Sequence, residues 1–288
     1  MMHLTRSITL LLLALSSHPG FANAWDKVPV PAAGPARVIG DTSAGCISGA
    51  RTLPTEGDGY VVMHLERDRY YGHPSLIESI KALGRRAAQG LGMMHVGDLG
   101  MPRGGPMPFG HRSHQTGLDA DVWFDLSPTL HLGANSNRSD VSAYSLLSRA
   151  SEGLNYQLWS DSHAQILKTA ASQPAVDRIF VNARIKQELC RTTSGDRSWL
   201  RKIRPWYHHE DHFHMRLTCP PDSPSCKRQD PIPTGDGCDE LDWWLHKTPD
   251  TGASAGKAPP PPKPLMPAEC RTVLSEQLAA KTLSGHAR

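Results

Sequence analysis

From Leu118 to Leu126 the chain alternates strictly, with Leu118, Ala120, Val122, Phe124 and Leu126 on one side and Asp119, Asp121, Trp123 and Asp125 on the other. Period-two alternation predicts a β-strand, here one with a polar face. His212–Leu217 alternates in the same way and predicts a second strand, and the apolar run Arg178–Asn182 (RIFVN) a third. Over Pro74–Gly92, Leu76, Ile80 and Leu83 recur at helical spacing with Arg and Lys elsewhere, which predicts a helix. Further helices fit Ser142–Glu152 and His163–Ser172, and short ones fit Ala183–Cys190 and Trp199–Ile203. Residues 25–60, rich in Pro, Gly, Ala and Ser, read as an extended N-terminal segment, and residues 97–117 as a glycine- and proline-rich loop. No internal repeat is visible.

The two ends of the chain differ from this middle. Arg6 begins a short positive segment, Ile8–Leu15 is mostly apolar, and Ala22-Asn23-Ala24 fits a small-x-small cleavage site. The apolar run is far shorter than the roughly 20 residues a membrane span needs. Residues 1–24 therefore read as a secretory signal peptide, which makes Trp25 the start of the mature chain and the periplasm its location. No later stretch stays apolar for the length of a span. Beyond Cys238 the composition shifts to a proline-rich tail, where APPPPKPLMP reads as extended chain.

Charge and cysteines narrow the class. A net charge of +3 without any block of Lys or Arg does not suggest a nucleic-acid partner, and is compatible with an anionic polymer substrate. The six cysteines, Cys46, Cys190, Cys219, Cys226, Cys238 and Cys270, all follow the signal, and an even count in an exported chain reads as three disulfides. Cys219 and Cys226 flank the turn-rich PPDSPS and suit a local bridge. The absence of a Cys-x2-Cys pair argues against cysteine-bound zinc. A bridge to Cys270 would tie the tail back to the body.

The histidines carry the chemistry. Of fifteen, His111 and His114 lie in the Gly-rich loop, and His208, His209, His212 and His214 crowd a short stretch. On a strand, residues two apart point the same way, so His212 and His214 share a face, as do Asp119 and Asp121. Two such strands side by side converge several N and O ligands on one point. Zinc takes such ligands, and a catalytic site keeps one position for water. No Gly-x-Ser-x-Gly appears, and His-Glu-x-x-His is absent, so a serine elbow and a zincin helix are not indicated. The fold expected is α+β, with a small antiparallel sheet carrying the metal site, flanked by helices and long loops.

The stretches GHRSHQTGLDADVWF and RPWYHHEDHFHMRL resemble the two signatures of the penicillin-insensitive murein endopeptidases. These belong to the lysostaphin/D-Ala-D-Ala metallopeptidase group, with its His-x6-Asp followed distantly by His-x-His. The resemblance covers nearly all the mature chain, including GDLGMP at 97–102, RIFVN at 178–182 and the cysteine spacing. It implies His114, Asp121 and His214 as zinc ligands, His111 as a further contact, and His209 and His212 as histidines that flank the metal and assist catalysis. It also implies the pairs Cys46–Cys270, Cys190–Cys238 and Cys219–Cys226. Some relatives in the wider group carry Ser and Ala where this chain has Arg112 and Asp119, and dipeptidase relatives carry Glu where it has Asp211. The base therefore stays open among His212, His209 and Asp211.

What the resemblance implies is hydrolysis of D-alanyl–diaminopimelyl cross-links in peptidoglycan by a zinc-activated water, with no acyl-enzyme for penicillin to trap. The rivals are a zinc D,D-carboxypeptidase or dipeptidase, and a non-catalytic wall-binding module. Trp206 and Tyr207 are candidates to line the substrate groove, and Trp243-Trp244 reads as packing. Peptidoglycan is the expected partner, with a homodimer left open. The domains expected are the signal at 1–24, a peptidase domain at 25–247 and the tail at 248–288.

Overall fold

A computed structural model of the chain describes residues 22–127, 138–148, 153–246 and 264–284. The segment expected to be a signal peptide lies outside the described residues up to position 21, and its last residues fall in a single helical turn, α1 (Ala22–Trp25). Trp25 is buried. No helix among the described residues is long and apolar enough to cross a membrane.

Residues 25–60 are not one extended segment. They form a hairpin, β1 (Arg37–Asp41) with β2 (Ala44–Ser48), then three short strands, β3 (Arg51–Thr52), β4 (Glu56–Gly57) and β5 (Tyr60–Val62). β6 (Tyr71–Gly72) pairs with β3 and leads into helix α2 (Pro74–Ala87). Pro74 suits the first helical turn, where no N–H partner is needed, and the His73 ring caps it by accepting from the Ser75 N–H. There follow β7 (Met94–Val96), β8 (Asp119–Trp123), α3 (Asp161–Ser172), β9 (Val176–Val181), α4 (Ala183–Thr192), β10 (Ile203–Pro205) and β11 (His212–Leu217). Two C-terminal helices close the chain, α5 (Leu241–His246) and α6 (Ala268–Ser284).

The site-bearing strands lie inside a seven-stranded sheet of order β10-β9-β11-β8-β7-β5-β4. The fold is α+β. The inner strands β9, β11, β8 and β7 are antiparallel, while β10 on β9 and β5 on β7 run parallel, so the sheet is larger and more mixed than the small antiparallel one expected. Leu76, Ile80 and Leu83 of α2, Ile166 and Leu167 of α3, and Ala120, Val122, Phe213 and Met215 of the sheet join in one buried core. That fixes which face of β8 and β11 points to the core. The alternate residues, Asp119, Asp121 and His214, turn to the other side.

Residues 142–148 are not helical. Leu146 is buried, and its amide bonds the Glu210 carbonyl while its carbonyl takes the Asn155 amide. The apolar pair Leu146-Leu147 is thus an anchor under the histidine-rich loop, not a helix face; residues 149–152 of that expected helix lie outside the described residues. Trp199–Ile203 is a 3₁₀ turn running into β10. Disulfides join Cys46–Cys270, Cys190–Cys238 and Cys219–Cys226, the pairing the resemblance implies. In the tail, α6 starts just after Pro267, and residues 247–263, with most of the proline run, lie outside the described residues.

Candidate metal centre

β8 and β11 pair so that His214 lies opposite Asp121 and Arg216 opposite Asp119. One hydrogen-bond register thereby places two carboxylates, one imidazole and one guanidinium on a single face. The face is buried, with Asp119 and Asp121 shielded as fully as their apolar neighbours. Residues 97–117 cover it. This loop is packed, since Asp98, Leu99, Arg103, His114, Gln115 and Thr116 are all buried. It doubles back at Gly104, whose φ is +65° and where a Cβ would sit 1.9 Å from the Gln115 carbonyl oxygen, so glycine is required. His114 itself is left-handed (φ 69°), with its N–H donated to Asp119 Oδ2 at 3.2 Å. His208 and His209 are left-handed as well. Non-glycine residues take this conformation only where their surroundings hold them, and such strain gathers at functional sites.

Each histidine around Asp121 has one ring nitrogen tied down on its far side. His114 Nδ1 donates to the Leu99 carbonyl at 2.8 Å, which leaves Nε2 as a lone pair 3.4 Å from Asp121 Oδ1. His214 Nε2 meets Asp119 Oδ1 at 2.8 Å, turning Nδ1 to within 3.1 Å of Asp121 Oδ1. His111 Nε2 meets Asp98 Oδ2 at 2.9 Å, turning Nδ1 to within 3.4 Å of Asp121 Oδ2. Outer partners of this kind set the tautomer and aim of metal-binding histidines. The inward approaches are close but not aligned as hydrogen bonds, and His114 Nε2 and Asp121 Oδ1 are buried without a hydrogen-bond partner. Unsatisfied buried polar atoms are costly, and two facing each other suit a cation between them. Ligand atoms of His111, His114 and Asp121 all lie within 4.8 Å of one another, a group that could hold a metal ion. His214 reaches the same Asp121 oxygen from the next strand.

The surrounding charges follow from burial and contact. Burial alone would raise the pKa of Asp121, but the surrounding histidines hold it well below the usual carboxylate range. Asp119 is likewise lowered against its burial, chiefly by Arg216, whose Nε donates to Oδ1 at 2.5 Å, and by His214. Burial opposes charge on His214, yet Asp119 raises its pKa. His209 and His212 diverge. Burial, then the neighbouring His212, lowers His209 to about 4. Burial also disfavours charge on His212, but Asp121 and Asp211 outweigh it and raise it to about 9. Asp211 Oδ1 is 2.5 Å from His212 Nδ1, and His209 Nδ1 donates to the Tyr207 carbonyl at 2.7 Å.

A cleft of about 690 Å³ opens over this group, lined among others by His111, His209, His214, Phe180, Trp206 and Tyr207. Trp206 is half exposed at its wall. Three further participants are not among the expected site residues. Arg216, which pairs with Asp119, shares the face of His212 and His214 by strand alternation, and that spacing could have found it. Asp98 in GDLGMP, which bonds both His111 and the Arg69 guanidinium (2.8 Å), and Phe180, edge-on to His214 with 5.5 Å between centroids, are revealed only by contacts distant in sequence.

Comparison with known proteins identifies the family. The family model described as penicillin-insensitive murein endopeptidase matches residues 38–275. A protein of that name from Haemophilus influenzae is 46% identical over 243 residues, spanning 82% of this chain and 84% of its own. Namesakes from Salmonella newport and Salmonella heidelberg are 43% identical over 275 residues, spanning 94% of this chain and 98% of theirs. With the match running from the first hairpin to the C-terminal helix, the chain belongs to the penicillin-insensitive murein endopeptidase family.

Proposed function

We propose that the chain is a zinc-dependent endopeptidase of the periplasm that hydrolyses D-alanyl–diaminopimelyl cross-links of peptidoglycan and is insensitive to penicillin. The observation that carries this is the pair of buried, unpartnered atoms His114 Nε2 and Asp121 Oδ1, with His214 Nδ1 turned to the same carboxylate. Two imidazoles and a carboxylate are a zinc donor set. His114, Asp121 and His214 would hold the ion, with His111 beside them. When bound, zinc supplies a Lewis acid and a water acidic enough to act as nucleophile near neutral pH.

The protein's own groups do the rest. His209 keeps Nε2 as a lone pair because its Nδ1–H is taken by the Tyr207 carbonyl, so it can accept a proton at that atom. His212, oriented by Asp211, can deliver a proton to the leaving amine or support charge on the carbonyl oxygen. Asp211 then serves as an orienter rather than the base. Trp206 and Tyr207 line the groove that takes the peptide. No serine acyl-enzyme is formed, which leaves penicillin nothing to trap. Three disulfides suit an oxidising compartment such as the periplasm.

Digestion of purified muropeptides with and without a chelator tests this. Cross-linked dimers should disappear, chelation should stop the reaction, and added zinc should restore it. Loss of terminal D-alanine alone would mean a carboxypeptidase, and a His214→Ala variant that still cleaves would remove the metal mechanism.

A further inference from the structure

From the wall of the cleft outward runs a chain of aromatic rings whose outer members, Trp244 and Trp243, lie beyond the cleft lining and have no part in the hydrolytic chemistry. From the metal group it runs His214, Phe180, Trp206, Trp244, Trp243, with successive centroids 5.5, 5.6, 5.7 and 4.8 Å apart. Tyr207 backs it, 5.2 Å from Trp244. Trp206 at the cleft wall is 50% exposed and Trp243 at the outer end 55% exposed. Neighbouring exposed indoles leave apolar surface in water, and a patch of this kind marks a binding site.

The patch is fixed. The Trp206 N–H extends the sheet by bonding the Val181 carbonyl. α5, which carries Trp243 and Trp244, is anchored by buried Leu241, by the Glu240–Arg204 ion pair and by the nearby Cys190–Cys238 bridge to α4. Its polar surroundings are acidic, with Asp239 and Asp242 exposed on either side of Glu240 and Leu241. Those carboxylates repel an anionic lipid surface or a nucleic acid. They suit a neutral ligand rich in hydroxyl and amide donors, whose apolar C–H faces lie flat on indole rings.

We infer that Trp206, Trp244 and Trp243 form a glycan-binding platform, a site for the β-linked N-acetyl amino-sugar strand to which the cleaved peptides are attached. This rests on the peptidoglycan reading above. A peptide seated in the cleft passes Trp206, and its sugar end must run out over the surface beside it, where the ring chain continues. The platform holds the non-reacting part of the substrate and raises the local supply of cross-links.

The test has two arms. The first needs no catalysis: a soluble β-1,4-linked N-acetylglucosamine oligomer is titrated against tryptophan fluorescence in the full-length mature protein. Wild type should bind, Trp243→Ala should weaken binding about tenfold, the scale of one stacked aromatic contact, and Trp243→Phe should recover most of it. The second compares a cross-linked muropeptide dimer carrying its disaccharides with the same dimer stripped of them by an amidase. Trp243→Ala should lower kcat/KM on the glycosylated dimer, mainly through KM, and spare the stripped one. No oligosaccharide binding by wild type, equal binding by Trp243→Ala, or equal loss on both dimers overturns the platform. Sugar binding without cleavage of either dimer would instead overturn the peptidase reading and leave the platform standing.

Discussion

At the scale of single residues, Asp119 ties the candidate metal group together. It accepts from His214 Nε2, from Arg216 Nε and from the His114 amide, so it fixes one candidate ligand's tautomer, another's backbone and a buried cation. Asp119→Asn keeps the shape and removes the charge. It should weaken metal binding about 10- to 100-fold, measured by competition with a chromogenic chelator. It should also cost about 3–5 kcal/mol in denaturant unfolding of the metal-free protein, because Arg216 stays buried without its counter-charge. Equal metal affinity in variant and wild type would reduce Asp119 to a structural partner of Arg216. The candidate ligands are legible in the sequence because strand alternation forces residues two apart to one face. The alternation does not say whether that face meets water. Asp119 and Asp121 are buried because the loop at 97–117 covers them, and that loop's path depends on Gly104 and on contacts with the first hairpin. Asp98 stays hidden for the same reason, since its tie to His111 spans a fold no local pattern encodes.

At the scale of elements, the strands and helices with strong periodicity are found close to where the pattern puts them: α2, α3, α4, β8, β9 and β11. The pattern is silent where short strands are held only by distant partners, as β4, β5 and β10 are, and it misleads at Leu146-Leu147. One element carries a pH signature. Lys186 of α4 is fully buried, and its Nζ donates to the Leu200 and Asp236 carbonyls at 2.7 and 2.6 Å. Burial pushes its pKa down to about 7, and two carbonyl acceptors match the two hydrogens of a neutral amine. In the unfolded chain a lysine keeps its proton to about pH 10.5. Between those values the unfolded state binds more protons, so stability rises with pH, and below about 7 the cost of burial is complete. The wild type should therefore gain about 2 kcal/mol between about pH 7 and about pH 9 from this group. Lys186→Met should show a flatter profile whatever its absolute stability. Parallel profiles in guanidinium unfolding, with chelator present throughout, would mean that the amine is charged in the native state.

At the scale of the whole molecule, the first and last described segments are clamped onto the loop that carries His111 and His114. Arg103, in that loop, is buried and donates to the Val30 carbonyl at 3.2 Å, and to the carbonyls of Val273 and Leu274 in α6. The Arg103 carbonyl in turn takes the Ile47 amide of β2, next to Cys46, which is bonded to Cys270 of α6. Trp25, Ile39, Met101, Met107 and Val273 pack around this junction as a core of their own. The Cys46–Cys270 bridge spans 224 residues, against 7 for Cys219–Cys226. Loop-closure entropy grows with the logarithm of that span, so the long bridge should contribute about 3 kcal/mol more than the short one. Replacing both cysteines of each pair by serine and comparing unfolding free energies measures the difference. The long bridge has a second expected effect. Freed from Cys46, α6 withdraws carbonyl acceptors from Arg103, and the loop that positions His111 and His114 loses a support. Metal release into excess chelator should then be faster in the Cys46→Ser/Cys270→Ser protein than in wild type, and unchanged in Cys219→Ser/Cys226→Ser. Equal release rates in all three would show that the loop holds its histidines without help from α6, through Gly104, Asp98, the Leu99 carbonyl and Asp119.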